Sequence, residues 1–176
     1  QKAMSSYEKA IQINPNYGDA YYNLGIILNE LGENQKAINS YEKAIQINPN
    51  YANAYYNLGN ILKELGEYQK AMSSYEKAIQ INPNHIDAHN NLGIILKELG
   101  EYQKSINCYE NAIQINPNHI DAHNNLGIIF KELGEYQKSI KCYENVIQIN
   151  PNYANAYYNL GIILKELGEY QKAMSS

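Results

Sequence analysis

Ile81-Asn82-Pro83-Asn84 is one of five copies of a single phrase, and the spacing of the copies decides the fold. Their prolines are Pro15, Pro49, Pro83, Pro117 and Pro151, each 34 residues after the last. A second phrase, Asn-Leu-Gly, keeps the same period at Asn23, Asn57, Asn91, Asn125 and Asn159. Every residue falls inside the period, which leaves no linker or second domain to explain. In such an array each unit packs on its neighbours, and stability comes from stacking several units rather than from one central core.

The unit from Ala52 to His85 reads as two helices. In its first segment Ala54, Leu58, Ile61 and Leu65 fall at i, i+4, i+7 and i+11, with Tyr55, Gly59 and Leu62 beside them. Both spacings are helical. Two adjoining apolar stripes predict a helix covered on more than one side, and Gly66 is placed to end it in a left-handed turn. The second segment runs from about Tyr68 to Asn82. Ala71, Tyr75, Ala78 and Ile79 form its inward stripe, and Pro83 closes it because proline disfavours helix in the residue before it. Gly59 lies in mid-helix, where glycine costs about 1 kcal/mol relative to alanine. That predicts a close approach of the partner helix, with Tyr55 and Tyr75 filling the space alongside.

The order Tyr55, Leu58, Gly59, Leu62, Gly66, Ala71, Tyr75, Ala78, Pro83 resembles the tetratricopeptide repeat consensus nearly position for position. The departures are mild. Tyr or His replaces the family's Trp, Leu or Phe130 its second Tyr, Ser105 and Ser139 one Ala, and Val146 another. The resemblance implies an all-α, right-handed superhelical solenoid of antiparallel helix pairs. In that framing residues 1–176 are a single array. Residues 1–17 are an orphan second helix, 18–51, 52–85, 86–119 and 120–153 are complete repeats, and 154–176 are a partial repeat.

Composition excludes several classes of function. The net charge is −4 and all 14 basic residues are Lys. Nucleic acid calls for a clustered positive face, and an anionic membrane surface asks the same. No apolar run approaches transmembrane length, and no signal-peptide pattern opens the chain. Cys108 and Cys142 hold equivalent places in neighbouring repeats. Packed helices lie roughly 8–10 Å apart axis to axis, which is long for a disulfide. The expectation is two packing thiols in an intracellular, reducing, cytoplasmic setting. No nucleophile–base pair, phosphate loop or catalytic carboxylate pair stands out, so neither an enzyme nor a cofactor is expected.

In tetratricopeptide stacks the first helix of each unit lines the concave face. Removing the packing stripes from Ala52–His85 leaves Asn53, Tyr56, Asn57, Asn60 and Lys63 for that face. Along the chain these positions become ladders. One is Asn23, Asn57, Asn91, Asn125 and Asn159; another is Asp19, Asn53, Asp87, Asp121 and Asn155; a third is Tyr22, Tyr56, Asn90, Asn124 and Tyr158. A carboxamide offers both donor and acceptor, so a row of them is suited to pair bidentately with a peptide backbone. The Asn and Asp ladders resemble the concave face of the tetratricopeptide domain of O-linked N-acetylglucosamine transferase, which implies an extended protein ligand. The expected function is therefore a protein–protein interaction scaffold that binds an extended peptide or protein segment in its concave groove. The alternatives are a substrate-recruiting region of a larger enzyme such as a glycosyltransferase, and a self-stacking structural array.

Two other family readings fit less well. The carboxylate clamp for chaperone C-terminal tails needs Lys where Tyr22, Tyr56, Asn90, Asn124 and Tyr158 stand, and a later Lys where Asp19, Asp87 and Asp121 stand. Chaperone tails are not expected ligands. His85 and His89 are four apart, as are His119 and His123, a spacing that can share a metal on one helix face. But His89 and His123 occupy the packing aromatic position, and His85 and His119 precede the helix. Packing imidazoles, and no metal, are expected.

The first six residues, Gln-Lys-Ala-Met-Ser-Ser, are also the last six. Tyr7 and Ile11 at one end, and Tyr157, Leu160 and Leu164 at the other, are faces that the repeat pairs everywhere inside the chain. Head-to-tail association is heterologous and need not close, so end-to-end stacking of chains is expected.

Overall fold

The structure is a computed structural model that describes residues 2–168, among which there are ten α-helices and no strand. They are α1 (Lys2–Ile13), α2 (Gly18–Glu30), α3 (Asn34–Ile47), α4 (Ala52–Glu64), α5 (Tyr68–Ile81), α6 (Ile86–Glu98), α7 (Tyr102–Ile115), α8 (Ile120–Glu132), α9 (Tyr136–Ile149) and α10 (Ala154–Glu166). The opening of the second helix expected at 171–176 lies outside the described residues. Packing divides the chain into two compact units, Gln1–Leu92 and Gly93–Ser176. In the first, α2 pairs with α3 and α4 with α5, while α1 packs on α2, α3 on α4, and α2 touches α4. In the second, α8 pairs with α9, α7 packs on α8, and α9 on α10.

Both punctuation marks in the repeat do backbone work. At the end of α4, Gly66 has φ +75°, Glu67 N–H donates to Leu62 O at 2.8 Å, and Gly66 N–H donates to Lys63 O at 3.0 Å. This is the Schellman arrangement, which satisfies two carbonyls that the helix leaves unpaired. Leu65, which the apolar stripe assigns to the buried side, is instead 47% exposed. It is the C-cap, where the chain has begun to turn away from the partner helix. At the end of α5, Asn82 is extended, as a residue before proline should be. Its side-chain oxygen accepts from Asn84 N–H at 3.1 Å, and His85 N–H donates to Asn82 O at 3.0 Å. The Ile-Asn-Pro-Asn phrase is thus a helix stop followed by an Asx turn.

The small–large pairing within each unit is also direct. Tyr75, Ala71, Ala78, Ala54 and Ile61 are fully buried. A Cβ added at Gly59 would lie 2.7 Å from Tyr75 Cε1, closer than carbon atoms pack, so only glycine lets that ring lie against α4. In the second unit, Ser105 and Ser139 stand where Ala71 stands in the first, and are also fully buried. Each hydroxyl donates at 2.6 Å to a glycine carbonyl, Gly93 and Gly127 respectively. Paired in this way, the buried hydroxyl costs little.

Candidate peptide-binding face

On the first unit, α2, α4 and α6 carry the ladders. Asp19, Asn53 and Asp87 are exposed, while Asn23, Asn57 and Asn91 are half-buried. The asparagines are held by internal hydrogen bonds. Asn23 Nδ2 donates to Asp19 O, one turn back, at 2.8 Å. Asn57 Nδ2 donates to the Tyr22 hydroxyl at 3.3 Å. Asn91 Nδ2 donates to Asn60 Oδ1 at 2.9 Å and reaches the Tyr56 hydroxyl at 3.5 Å. Asn23 is thus held within its own helix, whereas Asn57 and Asn91 are tied to the repeat before them: the structure brings Asn57 and Tyr22, and likewise Asn91, Tyr56 and Asn60, together.

The third ladder is partly packing. Tyr22 lies tilted against Tyr51 with ring centroids 4.7 Å apart, and Tyr56 against His85 at 4.6 Å. Asn90 is buried, and its amide reaches Asn91 Oδ1 at a long 3.5 Å. Beneath this layer lie the buried tyrosines of the second helices. Burial pushes the Tyr41 phenol up to about 12, opposed by a hydrogen bond from Asn57. Burial likewise raises the Tyr75 phenol, opposed by a hydrogen bond from Asn91. Asp19, on the exposed ladder, contributes with burial to the raised Tyr51 phenol.

On the second unit, α8 and α10 carry Asp121, Asn124 and Asn125, and Asn155, Tyr158 and Asn159. Asp121, Asn155 and Tyr158 are exposed; Asn124, Asn125 and Asn159 are half-buried. Asn124 Oδ1 is buried without a hydrogen-bond partner among the described residues, as are the hydroxyls of Tyr109 and Tyr143. In the first unit the matching phenol, Tyr75, donates to Asn60 Oδ1 at 2.8 Å. Ile94 and Ile128 stand at that position in the later repeats, which explains the difference. Sequence patterning placed Asn60 on the face but missed this linking role. Its one signal was a polar residue where the other repeats carry Ile.

The histidines have separate tasks. The Nδ1 atoms of His85 and His119 accept from the backbone N–H of Ala88 and Ala122, at 3.3 and 3.1 Å. His89 and His123 are buried, with Nε2 at 3.0 and 2.9 Å from the carbonyls of Pro83 and Pro117. Among the described residues no three His, Cys, Asp or Glu side chains gather as a metal site would require. Of the residues expected on the end faces, Tyr7 and Ile11 are half-buried on α1, which buries none of its residues. Tyr157 and Leu160 are half-buried, and Leu164 is buried. Leu160 packs against the cluster of Tyr143, Val146, Ala156 and Ile163. No described helix is long and apolar enough to cross a membrane.

Comparison with known proteins follows the same lines. A family profile described as TPR repeat matches residues 27–66, 95–134 and 129–168, and profiles described as tetratricopeptide repeat match 52–85, 6–39 and 74–107. No curated protein sequence matches this chain. Among solved structures, YrrB, described as a TPR protein with an unusual peptide-binding site, is 25% identical with a TM-score of 0.83 over 96% of this chain and 87% of its own. MamA is 28% identical with a TM-score of 0.79 over 86% of this chain and 89% of its own. PilF of Pseudomonas aeruginosa, 24% identical, shares the fold with a TM-score of 0.79 over 90% of this chain and 72% of its own.

Proposed function

Because the chain belongs to the tetratricopeptide repeat family, a family of protein-interaction scaffolds, we propose that it binds an extended peptide or protein segment along the first-helix face of its repeats. The observation that carries this is the row Asn23, Asn57 and Asn91, whose carboxamides are half-exposed yet fixed by hydrogen bonds to Asp19 O, Tyr22 and Asn60. Side chains already ordered lose little further entropy when a ligand arrives. Asp19, Asn53, Asp87, Asp121 and Asn155 form the outer polar edge. The scaffold does this without catalysis of its own, and its buried thiols suit a reducing, intracellular compartment.

The test is selection of binders from a random peptide display library by the intact chain. Selected peptides should lose affinity for a variant carrying Asn57→Ala and Asn125→Ala, by roughly 2- to 10-fold for each lost hydrogen bond. Melting and helical content of the variant serve as the control. Unchanged affinity in a folded variant would remove the row from the binding face.

End-to-end association is a second reading, supported by the apolar stripe of α1, where Tyr7 and Ile11 are only half-buried and no residue of the helix is buried. Sedimentation of the chain over a wide concentration range tests it. A mass that stays monomeric throughout would rule it out.

A further inference from the structure

A carboxamide has two faces, a donating nitrogen and an accepting oxygen, and a fold that consumes one leaves the other for a ligand. On the first unit the nitrogens are largely engaged: those of Asn57 and Asn91 each reach two partners, and that of Asn23 reaches one, which leaves one of its two N–H groups. Asn23 Nδ2 is bound to Asp19 O, and that carbonyl can only accept. Asn57 Nδ2 donates to Tyr22, and its hydrogen bond also eases the buried Tyr41 phenol. Asn91 Nδ2 donates to Asn60 and lies next to Tyr56, while Asn60 Oδ1 is already engaged by Tyr75, and Asn91 Oδ1 takes only the long 3.5 Å contact from the Asn90 amide. No hydrogen bond within the protein, among the described residues, is made to the oxygens of Asn23 and Asn57.

We propose that the Asn row of the first unit is an acceptor ladder, and that its ligand is an extended, cationic polypeptide segment that presents N–H donors to it. The charge around the row agrees. The same helix stripes carry Asp19 and Glu30 on α2, Glu64 on α4 and Asp87 on α6, all exposed, against the half-buried Lys63. An acidic rim around a row of accepting oxygens suits backbone amides flanked by Lys or Arg, and it disfavours an acidic segment. This rests on the peptide-binding function proposed above, and it replaces bidentate pairing, on this unit, by one-sided pairing.

The experiment measures the binding of two labelled peptides, one of alternating Lys and Ser and one of alternating Glu and Ser, to the intact chain and to two variants. The Lys–Ser peptide should bind, and the Glu–Ser peptide roughly tenfold more weakly or worse. Asn57→Ala should weaken the Lys–Ser peptide roughly 2- to 10-fold. Asn57→Asp should bind it at least as well as the unaltered chain, because Asp keeps an accepting oxygen and the hydroxyls of Tyr22 and Tyr41 can turn to donate to it. Equal binding of the two peptides, or a loss in folded Asn57→Asp that matches Asn57→Ala, would overturn the acceptor ladder while leaving peptide binding intact. Failure of both peptides where library-selected peptides bind would overturn it too. If no peptide of any kind binds, the proposed function falls with it. Should Asn57→Asp fail to fold, the two peptides on the unaltered chain decide.

Discussion

The Tyr75 hydroxyl donates to Asn60 Oδ1 at 2.8 Å, linking the buried side of α5 to the half-buried Asn60 on α4. Tyr143 is equally buried in the second unit, but Ile128 stands where Asn60 does, and its hydroxyl has no partner among the described residues. Removing a paired hydroxyl costs about 0.5–1.5 kcal/mol, whereas removing an unpaired buried one costs nothing or gains. Tyr75→Phe should therefore lower the denaturant midpoint, and Tyr143→Phe should leave it unchanged or raise it. Equal losses in the two variants would show that the phenols have equivalent surroundings.

The glycine contacts set the spacing of the helix pairs. A Cβ at Gly93 would lie 2.8 Å from Cε1 of Tyr109, a ring that is fully buried and has nowhere to go. Gly93→Leu should cost about 1–3 kcal/mol or more. Glu98, five residues on and exposed, should tolerate Ala within about 0.5 kcal/mol. Thermal melts of the two variants compare them directly, and similar melting temperatures would mean that the faces of α6 are assigned wrongly.

A pH dependence follows from the histidine caps. His85 Nδ1 accepts the Ala88 N–H, which it can do only while unprotonated. Burial lowers its pKa, and the nearby Asp87 carboxylate partly restores it. With the folded pKa below the unfolded value of about 6.5, the unfolded chain binds the extra proton. The contribution to stability is thus complete above that value and is lost as pH falls through the lower folded value. The melting temperature should drop on acidification from pH ~7 to ~5, and His85→Asn, whose capping oxygen does not titrate in this range, should lessen the drop. An identical drop in the variant would show that His85 has no part in it.

Cys142 is buried, and its thiol is pushed up to about 12 by that burial. The thiolate is the reactive form. Cys142 should resist a maleimide at neutral pH in the native chain and react readily once the chain is denatured. Comparable rates in the two states would contradict the burial.

The fold was legible because its signals repeat. The prolines gave the period, Gly59 and Tyr75 the close helix pair, and Gly66 the turn. What one unit does differently from the others was less legible. Periodicity assigns a residue to a face but does not say where its hydrogen bonds go. Asn60 read as one more exposed amide, although it joins Tyr75 to Asn91. Ser105 read as a mild departure from Ala, although its hydroxyl holds the Gly93 carbonyl. The spacing of His85 and His89 allowed a shared metal, whereas the one caps a helix and the other bonds Pro83. Leu65 fitted an apolar stripe but is the C-cap of α4, where the chain turns and leaves it 47% exposed.

The most direct test of peptide binding along the Asn row is a nuclear magnetic resonance titration of the intact chain with a library-selected peptide, following the side-chain amide signals. The signals of Asn23, Asn57, Asn91, Asn125 and Asn159 should shift together and saturate, while those of the exposed Gln69 and Gln103 on the second helices stay in place. Saturable shifts confined to Gln69, Gln103 and their neighbours, with the Asn row unmoved, would contradict the account.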